Sequence, residues 1–152
     1  MRLLIAAVGR IKAGPLADLQ AEYVKRLGAS IAVKEVEERG TRSPAERKAR
    51  EGELLLAALP EDAVVVALDE HGKTLASTAF AERLRRWQTD GTRTLAFVIG
   101  GADGLSQPMV MRAGLVLSLG AMTWPHLLAR ILLLEQLYRA QQILNGHPYH
   151  RE

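Results

Sequence analysis

Thr94-Leu95-Ala96-Phe97-Val98-Ile99 runs without a charged residue into Gly100-Gly101-Ala102-Asp103-Gly104-Leu105-Ser106. Six residues of this kind have the length and composition of a strand buried on both faces. The glycine-rich loop and the short helix expected over Gln107–Arg112 complete a strand–loop–helix unit. Upstream lies a second run of the same type, Ala63–Leu68, rich in valine. It is followed by an expected turn at Asp69–Lys73, marked by Gly72, and a helix over Thr78–Gln88 with Phe80, Leu84 and Trp87 on one side. Downstream, Gly114–Leu119 reads as a fifth strand, Gly120–His126 as a loop and Leu127–Leu144 as a long helix.

The amino-terminal part extends the pattern. Arg2–Gly9 reads as a strand, because its apolar run is short and no small-residue cleavage site follows it. Leu16, Leu19, Tyr23, Val24 and Leu27 set a helix from Pro15. Ile31–Val36 is a short strand and Glu37–Arg42 a polar loop. Ser43-Pro44-Ala45-Glu46 has the form of a capping box, opening a helix that runs to about Leu59 and stops at Pro60. Strands and helices alternate throughout with short connections. The expected fold is α/β: a single domain over 1–152 with a mostly parallel sheet flanked by helices. Ligands of such sheets bind beyond the carboxyl ends of the strands. That directs attention to the loops 69–73, 100–106 and 120–126.

The chain of 152 residues is 48% hydrophobic and 24% charged, with a formal net charge of +3. This is an ordinary globular balance that permits a polyanionic partner without requiring one. No cysteine is present, which excludes disulfides and cysteine-ligated metal centres. No apolar run approaches the ~20 residues of a membrane span. The expectation is a cytoplasmic protein with no membrane partner.

The 100–104 loop does not match the dinucleotide fingerprint, in spacing or in its place after a late strand. It also lacks a phosphate-binding lysine. Its glycines allow close backbone approach to a ligand, or simply a tight turn. Leu119-Gly120-Ala121-Met122-Thr123-Trp124-Pro125-His126 is unusually apolar for a loop. It is either covered by other chain or forms the wall of an apolar pocket. The last helix is apolar around most of its circumference, so it is central to the fold or packs on a second subunit. Glu135 and Arg139 stand at i,i+4 and can pair on its surface. The tail, Asn145–Glu152, holds His147, Tyr149, His150 and Arg151. These residue types suit base stacking, phosphate contact and proton transfer. No metal site is expected, since His147 and His150 lack partner ligands. His71 and His126 read as hydrogen-bonding loop residues. The basic groups Arg39, Arg42, Arg47, Lys48 and Arg50, and Arg83, Arg85 and Arg86, read as solvated faces.

Taken in order, several segments resemble one family. They are Val8-Gly9, Leu68-Asp69 with Gly72-Lys73, Val98-Ile99-Gly100-Gly101 with Gly104-Leu105-Ser106, Leu117-Ser118-Leu119 with Met122-Thr123, Pro125-His126, Glu135–Ala140 and His147–Glu152. Together they resemble, end to end, the RlmH family of knotted SPOUT RNA methyltransferases. The resemblance implies a deep trefoil knot within about 95–145, a homodimer, and S-adenosyl-L-methionine as cofactor. It implies methylation at N3 of a pseudouridine in helix 69 of 23S rRNA on the assembled 70S ribosome. By position it carries cofactor contacts to Leu68, Gly100, Leu119, Gly120, Ala121, Met122, Thr123 and Trp124. Ala102 and the pair Gly120-Ala121 depart from the family's pattern, a difference that matters little if backbone groups bind the adenosine. Removing the imide proton from N3 calls for a base, for which His150 is the first candidate. Tyr149 is expected to help hold the nucleobase, and Arg139 or Arg151 to stabilise charge on its carbonyl oxygens. The alternatives are a related enzyme acting on tRNA, a non-catalytic ribosome-binding protein, and a flavodoxin-like binder. The last would need a Ser/Thr-rich loop after strand 1, which Arg10–Gly14 lacks.

Overall fold

The run at 94–99 is the middle strand of the sheet, and all six of its residues are buried. The structure, a computed structural model, describes every residue except Thr41 and Glu152. One residue of the loop expected at 37–42 and the last residue of the tail therefore lie outside the described residues. The elements are β1 (Arg2–Val8), α1 (Pro15–Leu27), a 3-10 turn (Gly28–Ser30), β2 (Ile31–Val36), α2 (Pro44–Ala58), β3 (Val64–Thr74), α3 (Ser77–Thr89), β4 (Thr94–Ile99), α4 (Gln107–Arg112), β5 (Leu115–Ser118) and α5 (His126–Leu144). The strands form one sheet in the order β2-β1-β4-β3-β5, and every pairing is parallel.

Alternation along the central strands divides the core into two layers. Ile5, Ala7, Leu95, Phe97 and Ile99 face α1, α3 and α5. Leu4, Ala6, Val8, Ala96 and Val98 face α2 and α4. Phe97 meets the edge of Phe80 from α3, with ring centroids 6.2 Å apart. The long apolar helix α5 lies between α1 and α3, with Leu133, Leu134 and Leu137 wholly enclosed. Its apolar circumference is explained by neighbours on three sides: two helices and the sheet. Ser43 caps α2 as its sequence suggests, its Oγ accepting the Glu46 N–H at 3.2 Å.

The expected turn at Asp69–Lys73 is a correction. β3 continues through it to Thr74, and Leu117 of β5 is the partner of both Leu68 and Lys73. Residues 69–72 thus bulge outward, and the strand then resumes its pairing. Gly72 is what allows the return: a β-carbon there would lie 2.7 Å from the backbone carbonyl of Val116. The glycine that reads as a turn signal serves instead for close backbone approach.

Candidate functional site

Three loops leave the carboxyl ends of neighbouring strands β4, β3 and β5, and the sheet order brings them to one place. They enclose a cleft of about 880 Å³. β3 and its bulge contribute Leu68, Asp69, Glu70 and His71; the loop after β4 contributes Gly100 to Leu105. Leu119, Gly120 and Met122 to Pro125 form the wall beyond β5, and His126 and Ala129 of α5 close the floor. Lys48 reaches the rim from α2. The volume lies within the roughly 300–1,000 Å³ range of small-molecule sites.

Of the residues singled out for a cofactor, Leu68, Gly100, Leu119, Gly120, Met122, Thr123 and Trp124 all border this cleft, while Ala121 does not. The apolar loop is not covered by its own chain, for Met122 is 73% exposed and Trp124 42%. Side-chain bonds fix its course. Thr123 Oγ1 donates to Glu70 Oε2 at 2.6 Å, tying the loop to the β3 bulge. Ser118 Oγ accepts the Gly120 N–H at 3.1 Å and stands 3.1 Å from the Glu70 carbonyl oxygen. Asp69 Oδ1 accepts the His71 N–H at 2.8 Å, which holds the tip of the bulge. On its other side the loop borders a second cavity of about 380 Å³, which extends past Trp124 and Leu132 to Glu135 and Gln136.

The tail residues sit elsewhere on the same chain. Tyr149 and His150 fold back onto the carboxyl-terminal half of α5 and meet Arg139 and Glu135 there. Arg139 donates to Glu135 Oε1 from Nε at 3.0 Å and from Nη2 at 2.8 Å. Tyr149 donates its hydroxyl to the same oxygen at 3.1 Å. Burial, then the Glu135 charge, push the Tyr149 phenol up to about 12, so it remains a donor at neutral pH. Its ring stands edge-on to Tyr138 at 4.9 Å and lies under the Arg139 guanidinium at 4.9 Å. Arg139 Nη1 is 3.2 Å from His150 Nδ1. A guanidinium only donates, so His150 Nδ1 accepts, and the neutral ring carries its proton on Nε2. Arg139, Tyr149 and His150 border neither cavity. His126 and Arg139 are separated along α5 by about 20 Å, at 1.5 Å per residue.

Arg130 and Glu51 escape a reading of the sequence. Arg130 is wholly buried beside the cleft floor, bonded to Glu35 Oε2 at 2.6 Å and to the Gly9 carbonyl at 3.1 Å. Burial, and then the charge of Arg130, hold the His126 imidazole below its ordinary value. The available signal is a lone cation inside an apolar helical run, four residues after His126. Among the described residues, no group of three or more His, Cys, Asp or Glu is placed to hold a metal ion, and no helix is long and apolar enough to cross a membrane.

Residues 1–150 match the family described as predicted SPOUT methyltransferase, and the chain belongs to that family. It is 58% identical over 151 residues to ribosomal RNA large subunit methyltransferase H of Paramagnetospirillum magneticum, with 99% of each chain covered. A probable methyltransferase from Bordetella pertussis Tohama I shares the fold at a TM-score of 0.62 and 17% identity, over 91% of this chain and 95% of that one. The SpoU methyltransferase AviRb from Streptomyces viridochromogenes, solved in complex with the cofactor AdoMet, superposes at a TM-score of 0.51 and 20% identity, over 93% of this chain and 58% of that one.

Proposed function

We propose that this chain is an S-adenosylmethionine-dependent methyltransferase of large-subunit ribosomal RNA, acting at N3 of a pseudouridine in helix 69 of 23S rRNA. The observation that carries this reading is the single cleft built by the loops after β3, β4 and β5, in a chain similar over its whole length to ribosomal RNA large subunit methyltransferase H. The residues present fit the cofactor. Leu68, Ile99, Leu117 and Leu119 offer an apolar slot for adenine, and Asp69, Glu70 and Asp103 place carboxylates where a cationic sulfonium is favoured. Bound there, the cofactor supplies a methyl group activated by its positive sulfur. What the protein adds is alignment of the accepting nitrogen with that methyl group.

The N3 proton must leave for nitrogen to attack. His150 takes it on Nδ1 once Arg139 turns from that atom to a uracil carbonyl oxygen. There the guanidinium stabilises the charge that develops as the proton leaves. Tyr149, pinned to Glu135, holds the tail against α5 for this exchange. Because the tail cluster of one chain stands away from that chain's own cleft, the active form is a homodimer in which each tail completes the partner's site. Exposed Met122, Trp124 and Leu128 supply apolar surface for that contact. The chain between about 95 and 145 is threaded as a trefoil knot, consistent with β5 leaving at the sheet edge and α5 returning across β4. A net charge of +3 is modest for grip on free RNA, which favours a preformed groove of the assembled 70S ribosome in the cytoplasm.

Transfer of tritiated methyl from S-adenosylmethionine to purified 70S ribosomes tests the reading, with ribosomes lacking the target pseudouridine and free tRNA as controls. Label is expected only in pseudouridine-containing ribosomes. Absence of label would remove the proposal, and label in tRNA would favour the related tRNA enzyme.

A further inference from the structure

Beneath the glycine loop lies an enclosed carboxyl group. Glu51 is on α2, 5% exposed, and its Oε2 is enclosed with no hydrogen-bond partner among the described residues. What it faces is shown by Gly101. A β-carbon there would stand 3.0 Å from Glu51 Oε2, 3.2 Å from Oε1 and 3.0 Å from Val8 Cγ1. The carboxyl group therefore abuts the loop backbone from the side opposite the cleft. Any larger residue at 101 would displace one or the other.

The charges around Glu51 do not neutralise it. Arg47, one turn earlier on α2, favours the carboxylate but pairs with Asp103 at 3.4 Å. Asp103 in the loop and Glu38 before α2 oppose ionisation. Burial is the largest influence, and the net effect raises the carboxyl above its ordinary value. A neutral acid in this place has an O–H to donate, and Gly101 of the loop lining the cleft lies beside it. A carboxylate in the same place finds no donor for Oε2 among the described residues.

We propose that Glu51 is a positioning residue for the cleft: as a neutral acid it supports the Gly100–Gly104 loop from behind in the shape that binds S-adenosylmethionine. This rests on the reading of the cleft as the cofactor site. Ionisation of Glu51 then opposes binding, so affinity declines as pH rises through its titration, by up to about tenfold per pH unit. Glutamine has the shape of the neutral acid and does not ionise.

The test measures the dissociation constant of S-adenosylmethionine by calorimetry from pH 5 to 9, for the full-length protein and for E51Q and E51A. The thermal midpoint is recorded at each pH without ligand. The ligand's own amino group titrates equally in all three proteins, so the readout is the difference between them. E51Q is expected to match the wild type at the acid end and to exceed its affinity increasingly as pH rises. E51A is expected to bind weakly throughout, having lost the support. In the unliganded midpoints E51Q should gain on the wild type with rising pH, a readout independent of the cofactor. Parallel pH profiles of affinity for wild type and E51Q would overturn the proposal, as would affinity in E51A equal to that of E51Q. Wild type that binds no S-adenosylmethionine at any pH, while the midpoints still diverge, would remove the cofactor reading and leave Glu51 as a stability residue alone.

Discussion

Arg130 Nη1 donates to Glu35 Oε2 at 2.6 Å, joining the first turns of α5 to the end of β2. Arg130 is fully enclosed, while the Glu35 side chain keeps 30% exposure. The same carboxylate oxygen accepts the Ile11 N–H at 2.8 Å, so one group holds the chain after β1 and the start of α5. Both segments border or support the cleft. A buried cation deprived of its partner is strongly destabilising, more so than the pair is stabilising.

Glu35→Ala is accordingly expected to cost about 3–5 kcal/mol of folding stability, measured by urea denaturation. Arg130→Met, which removes the charge and keeps the volume, should cost less. Equal losses from both would show that the buried charge is not what matters.

The same pair predicts an acid response. Burial alone would raise the Glu35 carboxyl, but the Arg130 and Ile11 hydrogen bonds outweigh it and the net effect is a lowering. A depressed carboxyl contributes stability that is complete above its unfolded value near 4.5 and is lost as pH falls through the folded value. Wild type should therefore lose stability below about pH 4.5 more steeply than Glu35→Gln. Parallel acid profiles would count against the linkage.

Tyr149 behaves oppositely. Its phenol is raised from 10.0 to about 12, so the stability it contributes is present at neutral pH and declines between those values. Tyr149→Phe should cost about 1 kcal/mol at pH 7 through the lost bond to Glu135. Turnover should fall further than stability if the tail must be held for proton transfer. Hydrogen exchange of the 145–151 backbone checks the ordering directly.

His150→Ala tests proton transfer. Turnover on ribosomes should fall by about 10²–10⁴-fold if His150 is the general base, with cofactor affinity unchanged. Near-normal turnover would reject it.

Trp124→Ser with Met122→Ser tests the proposed pairing of subunits. Sedimentation should report a dimer for the wild type and a shift towards monomer for the double variant. A wild-type monomer that is active at high dilution would refute the composite site.

The strand and helix positions were largely legible because apolar periodicity is a local property. β2, β4, α1 and α4 lie where their spacing puts them, and the Ser43 cap follows from four residues. The outward bulge at 69–72 is not legible, since only the backbone of β5 shows that Gly72 lets the strand return to pairing at Lys73. The convergence of three loops followed from the alternation of elements, but the order β2-β1-β4-β3-β5 had no local signal. Arg130 and Glu51 escape a reading of the sequence for a common reason. A charged residue on a helix ordinarily faces water, and what buries these two comes from distant parts of the chain. The tail cluster's residue types stood out in the sequence, while its docking on Glu135 depended on the fold.

The central position of β4 bears on synthesis of the chain. β1 pairs with β4 through Leu4↔Ala96 and Ile5↔Phe97, so its inner edge has no native partner until residue 99 has left the ribosome. Through most of translation, a strand meant for the interior is presented with one side unsatisfied. Pairings this remote in sequence form slowly and leave the nascent chain open to misassociation. Dependence on chaperones during production should therefore exceed what the finished domain's size suggests, and amino-terminal fragments ending before β4 should aggregate rather than fold.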